Sequence, residues 1–356
     1  IHALVGAIPA ACAVLMTARF VKSRVAIAAA GVVVALWHPH VIYSGFFSSE
    51  IWFTAFLWIF TLAFVRHCDT DGGGKWSAFV AGVSLAVCFA VRPQILLTCV
   101  IVGAGMVLFR WRPRFRPLRW RWALLLVPLL LAMAGSGVRL YRLTGKVGLI
   151  AAYQPVQRLF GETNVDKIEA NWVSAKGIPQ TYWFNPHTKQ PVHPQNIVHI
   201  NGFVCDPELI AKVREERLRG VPLSARVRRM IDNIGLLAVN NVPWPEDDFR
   251  RDPKRAWLQR LYARITLTML PFVLIGLFCL RRNIAGQILI WANILTILVV
   301  AALYLGEARY RVPYDTFAIV AAVVGIHTLW ARLRRIDPAT GKYTFNGVQA
   351  GETKRK

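Results

Sequence analysis

Apolar runs long enough to cross a lipid bilayer recur along this chain, and no other feature limits its fold as strongly. Inside hydrocarbon every backbone N–H and C=O must find a partner within the protein. Continuous apolar runs, as opposed to alternating ones, therefore become helices. Nine such runs are read as spans, at about 1–16, 25–41, 51–65, 77–91, 94–109, 122–138, 261–280, 285–305 and 315–331. The fourth and fifth are short and separated only by Arg92-Pro93, which predicts a tight hairpin. With 55% hydrophobic residues and a mean hydropathy of +0.41, the 356-residue chain is too apolar for an ordinary soluble domain. The expected architecture is an all-α polytopic membrane protein. It comprises a transmembrane bundle of about six spans over 1–138, a small hydrophilic outer domain over 139–260, three further spans over 261–335, and a disordered polar tail over 336–356.

The net charge of +24 would point to nucleic acid in a soluble protein, but here topology accounts for most of it and no nucleic-acid-binding motif is present. One set of alternate loops carries Arg19, Lys22 and Arg24; Arg66 and Lys75; six arginines between Arg110 and Arg121; Arg281 and Arg282; and Arg332, Arg334 and Arg335. The short loops of the other set carry only Arg92, Arg309 and Arg311. The positive-inside rule makes the first set cytoplasmic and sends 38–50, Arg92-Pro93, 139–260 and 306–314 to the outer side. The run from Arg110 to Arg116 reads as a topology anchor on anionic lipid. Four of six cysteines, Cys12, Cys88, Cys99 and Cys279, fall in apolar runs and Cys205 is alone in the hydrophilic stretch, so no disulfide framework is indicated. The chain opens on Ile1 inside an apolar run with no signal-peptide pattern, and is expected to be a piece of a longer protein.

Within 139–260, Asp206-Pro207-Glu208 predicts a helix start and Gly220 its stop. A second, amphipathic helix is expected over 223–234 with Val227, Met230, Ile231 and Ile234 on one face, suited to the membrane surface or the bundle rim. The stretch 177–201 reads as an ordered loop.

The outer side concentrates the unusual residues. Glu50 follows Ser48 and Ser49 at the start of a span. It is either a helix N-terminal acid held by the dipole, or a general acid/base, an acceptor-positioning carboxylate or a metal ligand. Arg92 has apolar sequence on both sides and calls for an anion, either a lipid phosphate or a carboxylate such as Glu50 or Glu307. His38 and His40 flank Pro39 and are the candidate ligands for a divalent metal, against a packing role. His187, His193 and His199 recur every six residues, which matches no compact zinc pattern. In Gly306-Glu307-Ala308-Arg309-Tyr310-Arg311-Val312-Pro313-Tyr314, Pro313 biases Val312 away from helix. An extended segment would aim Arg309 and Arg311 one way and Tyr310 the other. Paired guanidiniums beside a tyrosine would suit a lipid phosphate; the alternative is that they snorkel to headgroups.

Three of these stretches resemble the polytopic GT-C glycosyltransferases, and more narrowly bacterial relatives of protein mannosyltransferases and lipid A aminoarabinose transferases. They are His38-Pro39-His40-Val41-Ile42-Tyr43-Ser44-Gly45 leading to Ser49-Glu50, the glycine-containing run from Gly82 that closes in Arg92-Pro93, and Glu307-Ala308-Arg309-Tyr310-Arg311-Val312-Pro313. The resemblance implies a GT-C-like helix bundle. It would move a sugar from a polyprenyl-phosphate donor to a glycan, lipid or protein acceptor at the outer face of a bacterial inner membrane, with inversion. By position Glu50 matches the family's second acidic residue, and Arg92, Arg309 and Arg311, with Tyr310, match the donor-phosphate region. The family's main catalytic aspartate belongs to a first outer loop that would precede Ile1. Two other functions fit the same hydropathy. An O-antigen ligase or polymerase using lipid-diphosphate glycans would place its key residues in 139–260. A transporter would call for repeated halves and mid-membrane ionisable residues, which are not evident.

Overall fold

The computed structural model describes residues 1–45, 49–69, 74–109, 122–145, 147–148, 154–170, 181–184, 192–201, 206–239, 253–280, 283–304 and 306–334. The arginine-rich stretch 110–121, His187, Cys205 and the tail 335–356 lie outside the described residues. Seven helices precede the hydrophilic stretch: α1 (His2–Thr17), α2 (Arg24–Ala35), α3 (His38–Gly45), α4 (Ser49–Asp69), α5 (Lys75–Val91), α6 (Ile95–Phe109) and α7 (Trp122–Thr144). Three more lie within it, α8 (Gln154–Glu162), α9 (Pro207–Leu218) and α10 (Leu223–Val239). Three follow it, α11 (Pro253–Cys279), α12 (Ile284–Leu303) and α13 (Ala308–Leu333).

Five helical segments are long and apolar enough to cross a membrane: Ser49–Cys68, Trp122–Arg142, Arg260–Cys279, Ile284–Leu303 and Arg309–Leu333. The run read as one span over 25–41 is two helices, α2 and α3, bent by 49° at a short break. The break falls just before His38-Pro39. Proline is tolerated in a first helical turn but cannot continue a preceding helix. The apolar helices α1, α5 and α6, each expected as a span, are shorter than the roughly 20 residues a crossing needs. The chain is thus a helical, multi-pass type of membrane protein.

The bundle is held by long-range side-chain packing. Trp58 of α4 stacks flat on Phe317 of α13 at 4.1 Å, and its indole N–H donates to Thr316 at 2.7 Å. Thr98 of α6 and Thr296 of α12 share a hydrogen bond of 2.8 Å. The short link Arg92-Pro93 does not produce the expected tight hairpin. α5 packs chiefly on α4 and α7, while α6 packs on α12. Small residues set the closest approaches, as is usual where lipid supplies no hydrophobic drive between helices. A Cβ on Gly276 of α11 would overlap the Ala321 carbonyl of α13.

The hydrophilic stretch has its own apolar centre, formed by Val156, Leu159 and Phe160 of α8, Ile210 of α9 and four residues of a small sheet, Ile168, Ala170, Val198 and Ile200. That sheet corrects a purely helical expectation. β1 (Lys167–Ala170) lies between β2 (Thr181–Phe184), antiparallel to it, and β3 (Ile197–Ile200), parallel to it. Two of its three strands fall in the stretch read as an ordered loop. Four residues are too few for alternation to be recognised against a background rich in Pro, Asn and His. α9 starts and stops as expected. Asp206 caps it by accepting from the Glu208 and Leu209 amides, and Gly220 beyond its end takes φ +76°. α10 starts at Leu223 as expected but runs on to Val239, and its inward face differs. Asn233 and Leu237 are buried, whereas Val227 and Ile231 are exposed.

Candidate functional site

Three helix ends meet at one end of the bundle. Glu50 stands in the first turn of α4, Arg92 ends α5 in an extended conformation, and Arg309 stands in the first turn of α13. Two of these positions are natural for their charges, while Arg309 at a helix N-terminus depends on its carboxylate partner. The α4 terminus favours an acid, and an arginine at the end of α5 faces the negative end of that helix. Arg92 and Arg309 both donate to the same oxygen of Glu50, Arg309 from 2.6 Å. Glu50 is 1% exposed and Arg92 8%, so this is a buried charge cluster. Of the two readings offered for Arg92, the carboxylate partner is the one observed. The second Glu50 oxygen accepts from the Ser49 hydroxyl at 3.4 Å.

The segment 306–314 corrects the extended reading. From Ala308 onward it is the start of α13, and Pro313 lies inside the helix. Proline removes only its own N–H, which would have paired with the Arg309 carbonyl, and the packed helix continues past that single loss. In a helix, residues two apart point about 200° away from each other. Arg309 therefore reaches Glu50 while Arg311 turns elsewhere, into an ion pair with Asp315 at 2.8 Å, and donates to the Leu237 carbonyl of α10 at 2.6 Å. Asp315 in turn accepts from the Trp37 indole at 2.9 Å. Arg311 thus ties α10 to α13, its partner Asp315 reaches Trp37 at the α2–α3 break, and Arg311 does not join Arg92 and Arg309. Tyr310 does join them. Its ring lies under the Arg92 guanidinium at 5.5 Å, and its hydroxyl accepts from Gln157 of α8 at 2.5 Å.

A second carboxyl completes the cluster. Glu307 is the residue at which α13 begins; it is 8% exposed and its side chain makes no capping hydrogen bond. Burial pushes its carboxyl above the usual carboxylate range. Arg309 and Arg92 pull it down and Glu50 pushes it up again, with burial the largest of these effects. Its backbone is held in place, because a Cβ on Gly306 would overlap the Asn233 carbonyl of α10. Likewise, one on Gly161 of α8 would overlap the Tyr304 carbonyl after α12. Asn233 also donates to the Gly161 carbonyl at 2.9 Å. Glycine at both positions lets α8 and α10 lie directly against the α12–α13 connection.

No protein-family model matches the chain, and no curated protein or solved structure shows significant similarity to it. The site therefore speaks through its own geometry.

His38 and His40 stand apart from this cluster and from each other. His38 stacks on Tyr262 at 4.6 Å, and His40 meets the Gly6 carbonyl through Nε2 at 2.9 Å. Two positions apart on α3, they face different neighbours. Among the described residues no group of three or more His, Cys, Asp or Glu is placed to hold a metal ion. His199 pairs with Glu169 at 3.1 Å in the small sheet. Gln157 was not singled out from the sequence. A glutamine in a short amphipathic helix carries no signal of a partner 153 positions away. Glu307 carries no role of its own in the sequence reading beyond a partner for Arg92, although an acid between two apolar runs is the same signal that marks Glu50.

Proposed function

We propose that this protein is a membrane glycosyltransferase that moves a sugar from a polyprenyl-phosphate donor to an acceptor at the outer face of a bacterial inner membrane. The observation that carries the reading is the convergence of Arg92 and Arg309 beside Tyr310 at one end of the bundle. α8 and α10 of the hydrophilic stretch lie against that same end. Charge builds on the phosphate as the sugar leaves it, and guanidiniums fixed in a low-dielectric site stabilise that charge without reorganising. Glu50 acts as the anion that positions both arginines. Tyr310 holds the Arg92 plane from one side, and Gln157 fixes the tyrosine hydroxyl. Arg311 has a different part in this scheme, that of joining α13 to α10.

Replacing Arg92 or Arg309 by alanine is expected to cost about 1.5–3 kcal/mol of charge-assisted bonding, or about 10–100-fold in transfer. The assay measures sugar release from a polyprenyl-phosphate-sugar, with membrane insertion checked in parallel. Normal turnover in both properly inserted variants would refute the reading. The ligase or polymerase alternative predicts instead that Arg158 and His193 are the sensitive residues. Arg158 is half exposed and paired with Glu162 at 2.5 Å, so its loss is expected to leave transfer unchanged.

A further inference from the structure

Among the described residues, four charged side chains stand together around Glu50. Two guanidiniums, Arg92 and Arg309, stand with two carboxyls, Glu50 and Glu307, and with both acids ionised the four charges cancel. Taken by themselves, these four have no excess charge with which to hold an anion. One proton on Glu307 changes the count to a single net positive charge. Glu307 is the member able to take it, since Glu50 is bound by both arginines while Glu307 makes no capping hydrogen bond. Arg92 is 8% exposed and its Nε has no hydrogen-bond partner among the described residues, so donor capacity is still in place. The described neighbours on α3, α8, α10, α12 and α13 leave this sum unchanged. α12 contains no ionisable residue. Arg311 and Asp315 neutralise each other on another face of α13. α10 offers the Asn233 carbonyl at Gly306, while its Arg229 is engaged by Gly161, Phe160 and Asn164. On α8, Arg158 and Glu162 are paired, and on α3 His40 meets a backbone carbonyl.

We propose that Glu50, Arg92, Arg309 and Glu307 form a proton-coupled anion site, which takes up one proton, held on Glu307, for each singly charged phosphodiester it binds. The inference rests on the donor-phosphate reading of the site and adds to it a regulated charge. Bound anion and ionised Glu307 exclude one another, so binding is strongest where Glu307 is protonated and weakens as pH rises through its titration.

The test uses the purified full chain in detergent micelles and a prenyl methyl phosphodiester, which keeps one negative charge throughout. Titration calorimetry between about pH 5 and 8, in two buffers of different ionisation heat, reads affinity and proton uptake together. In the wild type, affinity is expected to fall by up to about tenfold per pH unit above the Glu307 titration, with uptake approaching one proton per ligand. Glu307→Gln is expected to bind at every pH with the low-pH wild-type affinity and without proton uptake. Wild-type binding that ignores pH and takes up no proton overturns the coupling, and so does a Glu307→Gln profile as steep as the wild type's. Either result leaves the donor-phosphate reading standing. Should Glu307→Gln fail to fold, the wild-type proton count decides. Absence of wild-type binding at any pH, or full binding by Arg92→Ala, removes the donor-phosphate reading and the coupling with it.

Discussion

At Glu50 two guanidiniums share one carboxylate oxygen, and this governs how the neighbourhood responds to substitution. Removing the acid strands Arg92 in a buried position without its counter-ion, which typically costs about 3–5 kcal/mol. Glu50→Ala is therefore expected to lower the unfolding midpoint of the purified protein markedly. Glu50→Ala combined with Arg92→Ala should recover part of the loss, with a coupling of about 0.5–3 kcal/mol in the double-mutant cycle. Additive losses would mean that the pair contributes nothing as a pair. Glu50 and Arg92 were both legible in the sequence because ionised groups beside apolar runs are costly without a partner. Their mutual pairing was one of two readings, since nothing local tells a lipid phosphate from a carboxylate 42 positions away. Arg311 departs from the sequence expectation for a definite reason. The preference of residues before proline for extended backbone was overridden by the packing of α13, and a change from strand to helix sends alternate residues in opposite directions.

Among the elements, α10 and the start of α13 depend on each other. Gly306 passes so close to the Asn233 carbonyl that a methyl group there must push the two helices apart. Overpacking of this kind costs about 1–3 kcal/mol. Gly306→Ala should loosen α10, break the Arg311–Leu237 contact and open the α9–α10 connection to protease. Limited proteolysis in micelles reads this directly, and a wild-type digestion pattern would show that α10 is held by other contacts. The inward face of α10 was not legible from its apolar periodicity. Its buried side includes Asn233, whose amide is satisfied by the Gly161 carbonyl, while Val227 and Ile231 stay exposed. The start and stop of α9 were legible because an Asp-Pro-Glu cap and a glycine stop act locally.

For the whole molecule, sorting short loops by charge grouped Glu50, Arg92, Arg309 and the hydrophilic stretch, and the contacts described above bring these same segments together. The apolar runs became helices at nearly the expected places, because in hydrocarbon the backbone has few alternatives. What sequence could not supply was the set of packing partners, such as α6 against α12, which depends on surfaces from distant parts of the chain. The proposed sidedness is tested by labelling single cysteines in a cysteine-free background with a membrane-impermeant reagent. Ser224→Cys on α10 should react from outside intact cells, and Lys75→Cys at the start of α5 only after the membrane is opened. The opposite pattern would invert the topology.

The shared oxygen of Glu50 also has a consequence for how the protein is made. Glu50 and Arg92 lie 42 positions apart, whereas Arg309 is 259 positions from Glu50. Glu50 and Arg92 are therefore synthesised early and can enter the bilayer as a mutually neutralised pair, which eases the passage of two ions into a poor solvent. Arg309 arrives only with α13, and until it does the pair is a closed salt bridge lacking its third member. On this order of synthesis the ribosome delivers Arg309 last, so a nascent chain stopped before α13 holds the early pair without the assembled cluster.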